Sequence, residues 1–111
     1  MTQLPTAPPS CALDPQGLRT QLERYRQSGR GALVVERSAR ELSVQLRPDV
    51  ATGLVDELVA VERDCCPFFT IGWDPGERRL SVSVSRRDDE PALAAVAFAL
   101  GLEAAAHPAP Q

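Results

Sequence analysis

Apolar residues recur along this chain with two periods, and the switches between them mark out the elements. Leu18, Leu22 and Tyr25 fall at helical spacing among Arg19, Gln21, Glu23, Arg24 and Arg26, which predicts an amphipathic helix burying that face. Asp14-Pro15 supplies its start, an acidic cap followed by proline at the first helical position. Leu13 is placed to staple onto Leu18, and Gly29 or Gly31 to close the helix. Ala32 to Arg37 is short and β-branched, and Leu42, Val44 and Leu46 then alternate with Ser43, Gln45 and Arg47. Together they predict a hairpin across Ser38-Ala39-Arg40, whose lack of glycine leaves the turn type open.

Asp49, after Pro48, is placed to cap a second helix in which Leu54, Leu58, Val61 and Cys65 share one face. Pro67 ends it, so Cys65 is expected to point inward and Cys66 to sit at the exit, off the buried face. Phe69, Ile71 and Trp73 alternate as a third strand, Asp74-Pro75-Gly76 makes a turn, and Leu80, Val82 and Val84 alternate with serines as a fourth strand. A last helix starting near Asp89-Glu90-Pro91 carries Leu93, Val96, Phe98, Leu100 and Leu102 as its periodic apolar residues. The order, one helix followed by two strand-strand-helix units, predicts an α+β fold. Its four-stranded, largely antiparallel sheet carries the helices on one face and turns a Ser/Gln/Arg face to water or a partner.

Length and composition narrow the setting. A chain of 111 residues supports one core, expected over residues 11–104, and the proline-rich ends 1–10 and 105–111 are expected to be disordered. A net charge of -3 with interleaved signs gives no basic footprint for nucleic acid. Neither a charged leader followed by an apolar run nor a stretch of about 18 apolar residues occurs, so neither export nor membrane spanning is indicated and a cytoplasmic location is the default. An odd count of three cysteines in a reducing compartment argues against a disulfide framework and leaves metal binding, redox chemistry or burial.

The cysteines are Cys11 in Cys11-Ala12-Leu13-Asp14, and the adjacent pair in Asp64-Cys65-Cys66-Pro67-Phe68-Phe69. A single cysteine at either place reads as a small buried hydrophobe. Two consecutive thiols before a proline are harder to absorb that way, and their α-carbons, about 3.8 Å apart, lie closer than a disulfide ordinarily accepts. Thiolates select soft ions such as monovalent copper, zinc, iron-sulfur clusters and, by the same softness, mercuric ion. Structural zinc and cubane clusters want four ligands. His107, the single histidine, stands in the proline-rich tail and reads as a solvated tail residue. Three sulfurs, Cys11, Cys65 and Cys66, therefore suit monovalent copper or divalent mercury better than zinc. A helix carboxyl end raises thiol pKa, which disfavours nucleophilic catalysis at Cys65 or Cys66, whereas metal binding displaces thiol protons directly. If only one of the pair is active, Cys66 is expected to complete a site with Cys11. Phe68, Phe69 and Trp73 are expected to form a dry wall around it.

Cys11-Ala12-Leu13-Asp14 at a helix start, followed by Cys65-Cys66 and Phe68-Phe69, resembles organomercurial (alkylmercury) lyase in the order and approximate separation of the motifs. The chain also looks like small bacterial proteins with a Cys-x-Leu-Asp start and an acidic-Cys-Cys-Pro-Phe centre. The resemblance implies a fold of repeated strand-strand-helix units, shared with a copper-binding lipoprotein group. It also implies a site in which thiols from Cys11 and from Cys65 or Cys66 bind mercury while Asp14 helps pass a proton to the leaving carbon. Pro67 departs from the histidine-containing continuation of that family, and its amino-terminal domain has no counterpart here.

Three functions follow as expectations. The first is a cytosolic soft-metal-binding protein with Cys11, Cys65 and Cys66 as ligands, for which a homodimer supplying further ligands is compatible. The second is an enzyme in which Cys11, Cys66 and Asp14 cleave carbon-mercury bonds. The third is an interaction domain using the polar sheet face or a cluster of Arg78, Arg79, Arg86 and Arg87, which, flanking a strand, is otherwise simply solvated. Asp14 as an N-cap alone also accounts for its position.

Overall fold

The computed structural model describes residues 14–102. Cys11, Leu13 and His107, with the two ends expected to be disordered, lie outside the described residues. The elements are α1 (Pro15–Ser28), β1 (Leu33–Arg37), β2 (Glu41–Gln45), α2 (Thr52–Cys65), β3 (Thr70–Asp74), β4 (Arg79–Ser83), a single 3-10 turn (Arg87–Asp89) and α3 (Glu90–Ala99). This is the α+β arrangement that the two periods predict.

The sheet runs in the order β1-β2-β4-β3, with every neighbouring pair antiparallel. The two hairpins thus lie side by side, joined through their second strands. Register fixes the two faces. Val34, Val44, Leu80 and Trp73 form one row across the core side, and Arg37, Leu42, Val82 and Ile71 form the next. On the other side Ser43, Ser81 and Gly72 make a row of small polar positions, with Ser43 and Ser81 hydroxyls 3.2 Å apart. Side chains alternate across a strand, so the periodic valines and leucines all enter one layer, where α2 packs on β3 and α3 on β2.

Several local readings are corrected. Leu22 is exposed, and the buried side of α1 is Gln21, Tyr25 and Ser28. Asp49 does not cap α2. Ala51 holds that position without a side-chain bond, while Asp49 accepts from Arg47 Nε at 3.1 Å, a contact that holds its carboxyl below the usual carboxylate range. The glycine-free hairpin turn is closed by Ser38, whose Oγ accepts from the amides of Arg40 (3.3 Å) and Glu41 (3.1 Å). Gly29 ends α1 in the right-handed region, so its role is not a left-handed cap. It lets α1 approach α3: a Cβ there would lie 2.2 Å from the Leu100 carbonyl oxygen.

The arginines do not form one basic patch. Arg78, at φ 56°, turns its guanidinium back to the loop before α2, donating from Nη2 to the Arg47 carbonyl at 2.9 Å and also to the Val50 carbonyl. It stacks 5.8 Å from the centre of the Trp73 ring. The result is a clamp between the β3-β4 turn and the entry to α2.

Candidate thiol site

Helix α2 is held by a buried stripe of Val55, Leu58, Val59 and Glu62, continued by Cys66. These positions follow the three-and-four spacing of a helix face. The expected order of the two thiols is therefore reversed: Cys66 is buried, at 2% exposure, and Cys65 is half-buried at the margin of the core. The cause is that the stripe through Leu58 runs by way of Glu62 and not Val61. A charged residue on the inward face hides that choice from a search for apolar periodicity.

Pro67 acts as expected on the backbone. Cys66 leaves the helical region at φ -127°, ψ 75°, as a residue before proline must, while its amide still donates to the Glu62 carbonyl at 2.8 Å. Its own carbonyl accepts from the Phe69 amide at 3.1 Å, closing a β-turn with Pro67 at the second position. Arg63, one turn earlier, donates from Nη2 to the Ile71 carbonyl at 3.0 Å and ties the last turn of α2 to β3. Phe68 and Phe69 place their ring centres 4.7 Å apart at 57°, Phe69 within the core and Phe68 against it. The corner is thus fixed on three sides. Trp73 is not part of this wall: it lies four residues along β3, roughly 13 Å away at the rise of a strand, and packs with Arg78.

Asp14 begins the neighbouring helix. Its Oδ1 accepts from the Gly17 amide at 2.7 Å and Pro15 occupies the first turn, so the cap forms as its sequence predicts. Gln21 then makes the link between the helices, donating from Nε2 to the Leu58 carbonyl and to Glu62 Oε2, each at 3.0 Å. Its Oε1 accepts from Arg24 Nη1 at 2.8 Å, and Arg24 approaches Glu57 at 3.9 Å. As α1 advances from Gln21 to Arg24, its partners on α2 recede from Glu62 to Glu57. The helices are antiparallel, so the amino end of α1 lies toward the carboxyl end of α2, but among the described residues Asp14, Cys65 and Cys66 do not converge as a group. Neither Gln21 nor Glu62 is legible as a site residue from sequence, because polar residues at stripe positions look like breaks in the stripe.

Among the described residues no disulfide forms and no group of three His, Cys, Asp or Glu side chains converges as a metal site. The described part of the corner offers two sulfurs, and Cys11 and His107 lie outside it. Comparison with protein-family models, with curated proteins and with solved structures found no match. The class that can be stated is an α+β domain with adjacent thiols at a proline-closed helix-to-strand corner. Among the described residues no helix is long and apolar enough to cross a membrane.

Proposed function

We propose that this protein binds a soft metal ion, mercury(II) or copper(I), through the thiolates of Cys11, Cys65 and Cys66 in the cytoplasm. The observation that supports it is the antiparallel register of α1 and α2, set by Gln21 on Leu58 and Glu62 and by Arg24 near Glu57. Cys11 precedes Asp14 by three residues in the sequence. The antiparallel run of α1 and α2 turns the amino end of α1 toward the end of α2 that carries the cysteine pair. Sulfur donors select soft ions, and each thiol that binds releases its proton to solvent. Cys65, at the core margin, meets the ion first. Cys66, enclosed with Phe69, supplies the second sulfur where water is scarce, which favours low coordination.

Titration of the reduced protein under anaerobic conditions with mercury(II), copper(I) and zinc(II), read by native mass spectrometry against competing glutathione, tests this. One mercury or copper ion per chain is expected, lost in the protein carrying Cys11→Ser, Cys65→Ser and Cys66→Ser together. Uptake no tighter than that of glutathione overturns it.

A second reading is lyase-like cleavage of a carbon-mercury bond with Asp14, the residue that caps the amino end of α1, as proton donor. In that reaction a thiol binds the mercury of an organomercury cation and gives its proton to the Asp14 carboxylate, the carbon-mercury electron pair then takes that proton, hydrocarbon leaves, and mercury(II) stays bound to the protein thiolates. Benzene release from phenylmercury separates the two readings. Asparagine caps a helix as well as aspartate, so an Asp14→Asn protein of unchanged stability that still turns over at the parent rate removes Asp14 from the chemistry.

A further inference from the structure

The two sulfurs of the described corner belong to neighbouring residues in different settings. Cys66 is enclosed, at 2% exposure, at the end of the buried stripe of α2. Cys65, one peptide unit away, is partly buried and packs against the core margin, as Phe68 does. The peptide bond holds their α-carbons about 3.8 Å apart. The backbone that joins them is pinned on both sides: the Cys66 amide donates to the Glu62 carbonyl at 2.8 Å, and the Cys66 carbonyl accepts from the Phe69 amide at 3.1 Å. Among the described residues no disulfide ties the pair.

Such a pair sorts soft ligands by the angle they impose between two sulfurs. Mercury(II) and copper(I) with two thiolates set them in line, on opposite sides of the ion, and two adjacent side chains can span that only in a bent ring. Trivalent arsenic is equally thiophilic, but its lone pair gathers the ligands into a pyramid, close together on one side of the atom. We propose that Cys65 and Cys66 form a two-thiol site for a trivalent arsenical that carries one organic substituent and two hydroxyls. Two of the three ligand places on arsenic go to the sulfurs and the third stays with carbon, so two protein donors complete the site. Each sulfur forms a bond to arsenic as one arsenic-oxygen bond breaks, and each thiol proton leaves with the departing hydroxyl as water. Two waters are released, arsenic stays trivalent, and nothing is oxidised or reduced. Cys65, at the margin, reacts first, and the enclosed Cys66 then closes the ring. An aryl substituent suits that margin, where Cys65 and Phe68 are the partly buried residues. The inference shares with the metal-binding reading the availability of the corner thiols to soft ligands, and it does not depend on Cys11.

Phenylarsine oxide, hydrated in water to the dihydroxy form, is the probe. It is added to the reduced full chain under anaerobic conditions with a large excess of glutathione, beside a parallel titration with mercury(II), and both are read by native mass spectrometry. One phenylarsenic group per chain is expected, with two thiol protons lost, and a small dithiol is expected to strip it. A second sulfur held in the same molecule raises its effective concentration, so Cys65→Ser and Cys66→Ala are each expected to weaken retention by at least roughly 100-fold. Cys11→Ser is expected to retain the adduct as the parent does. Cys65→Ser, at the core margin, is the variant least able to disturb folding, and unchanged far-ultraviolet circular dichroism checks it. A parent that holds phenylarsenic no more tightly than glutathione does, a Cys65→Ser protein that binds like the parent, or loss of the adduct in Cys11→Ser overturns the proposal. Uptake of mercury(II) without phenylarsenic overturns it while the metal-binding reading stands, and phenylarsenic held by Cys65 and Cys66 without mercury(II) uptake supports it while that reading falls.

Discussion

The outer strands β1 and β3 occupy equivalent places in the sheet, each the first strand of a hairpin whose second strand lies at the centre. They are finished in opposite ways. Along β3, α2 is fastened by Arg63 to the Ile71 carbonyl, the Phe68-Phe69 turn closes one end, and the Trp73-Arg78 clamp closes the other. Along β1 every residue is exposed, a bulge interrupts pairing between Val34 and Glu36, and a groove runs between the β1-β2 turn and the first turns of α3. The two halves share a topology but not a completeness. A tightly bonded edge suits a site that must hold thiols in a set geometry. An apolar edge left bare is an exposed hydrophobic surface.

The strongest test of that contrast is to truncate one residue on each side. Leu58, fully buried beneath the closed half, is expected to cost about 2–5 kcal/mol as Leu58→Ala. Phe98→Ala is expected to change the stability by less than about 0.5 kcal/mol. Urea denaturation of both proteins checks the pair, and equal losses would dissolve the distinction. Next in size is the buried link between α1 and α2. Gln21→Leu removes the donor to Glu62 Oε2 and leaves a buried carboxylate short of a partner, with an expected loss of about 1–3 kcal/mol. Gln21→Leu with Glu62→Leu recovers much of it.

The reversed thiols give a smaller and sharper difference. Cys66→Ser places a hydroxyl in the core and is expected to cost on the order of 1–2 kcal/mol, whereas Cys65→Ser at the core margin costs less than half of that. The same order is expected in the rate of alkylation by a small thiol reagent, Cys65 reacting before Cys66. The least effect belongs to an exposed pair. Arg26, then Gln27, hydrogen-bond Glu23 and lower its pKa to about 2. A carboxylate depressed on folding stabilises the native state above its unfolded pKa of about 4.3 and loses that contribution as pH falls toward 2. At full exposure the effect on unfolding is small. Carboxyl titration followed by nuclear magnetic resonance is expected to show Glu23 as a low outlier that returns toward normal in Arg26→Ala.

How far the sequence could be read depends on which physical rule governed each residue. Backbone rules carried over at most element ends, though not at the start of α2, where Ala51 and not Asp49 is the cap. Asp14 and Pro15 start α1, Pro67 stops α2, and the alternating valines and serines of β2 and β4 set their faces, because each effect acts within a few residues. Burial on the helices carried over less well. Leu22 and Phe98 are apolar and exposed, while Gln21 and Glu62 are polar and buried against each other. A helix offers several faces with acceptable spacing, and the neighbouring helix decides which one is closed.

By itself, then, the sequence determined the elements, their order, the α+β class and a corner where two thiols meet a proline, since propensity, capping and periodicity are local. Only the tertiary structure decided which thiol is enclosed, that α1 runs antiparallel to α2 through Gln21 and Glu62, and that α3 turns a second apolar face outward. Those outcomes depend on which face of each helix packs against its neighbours, and that is fixed by contacts between residues far apart in the chain.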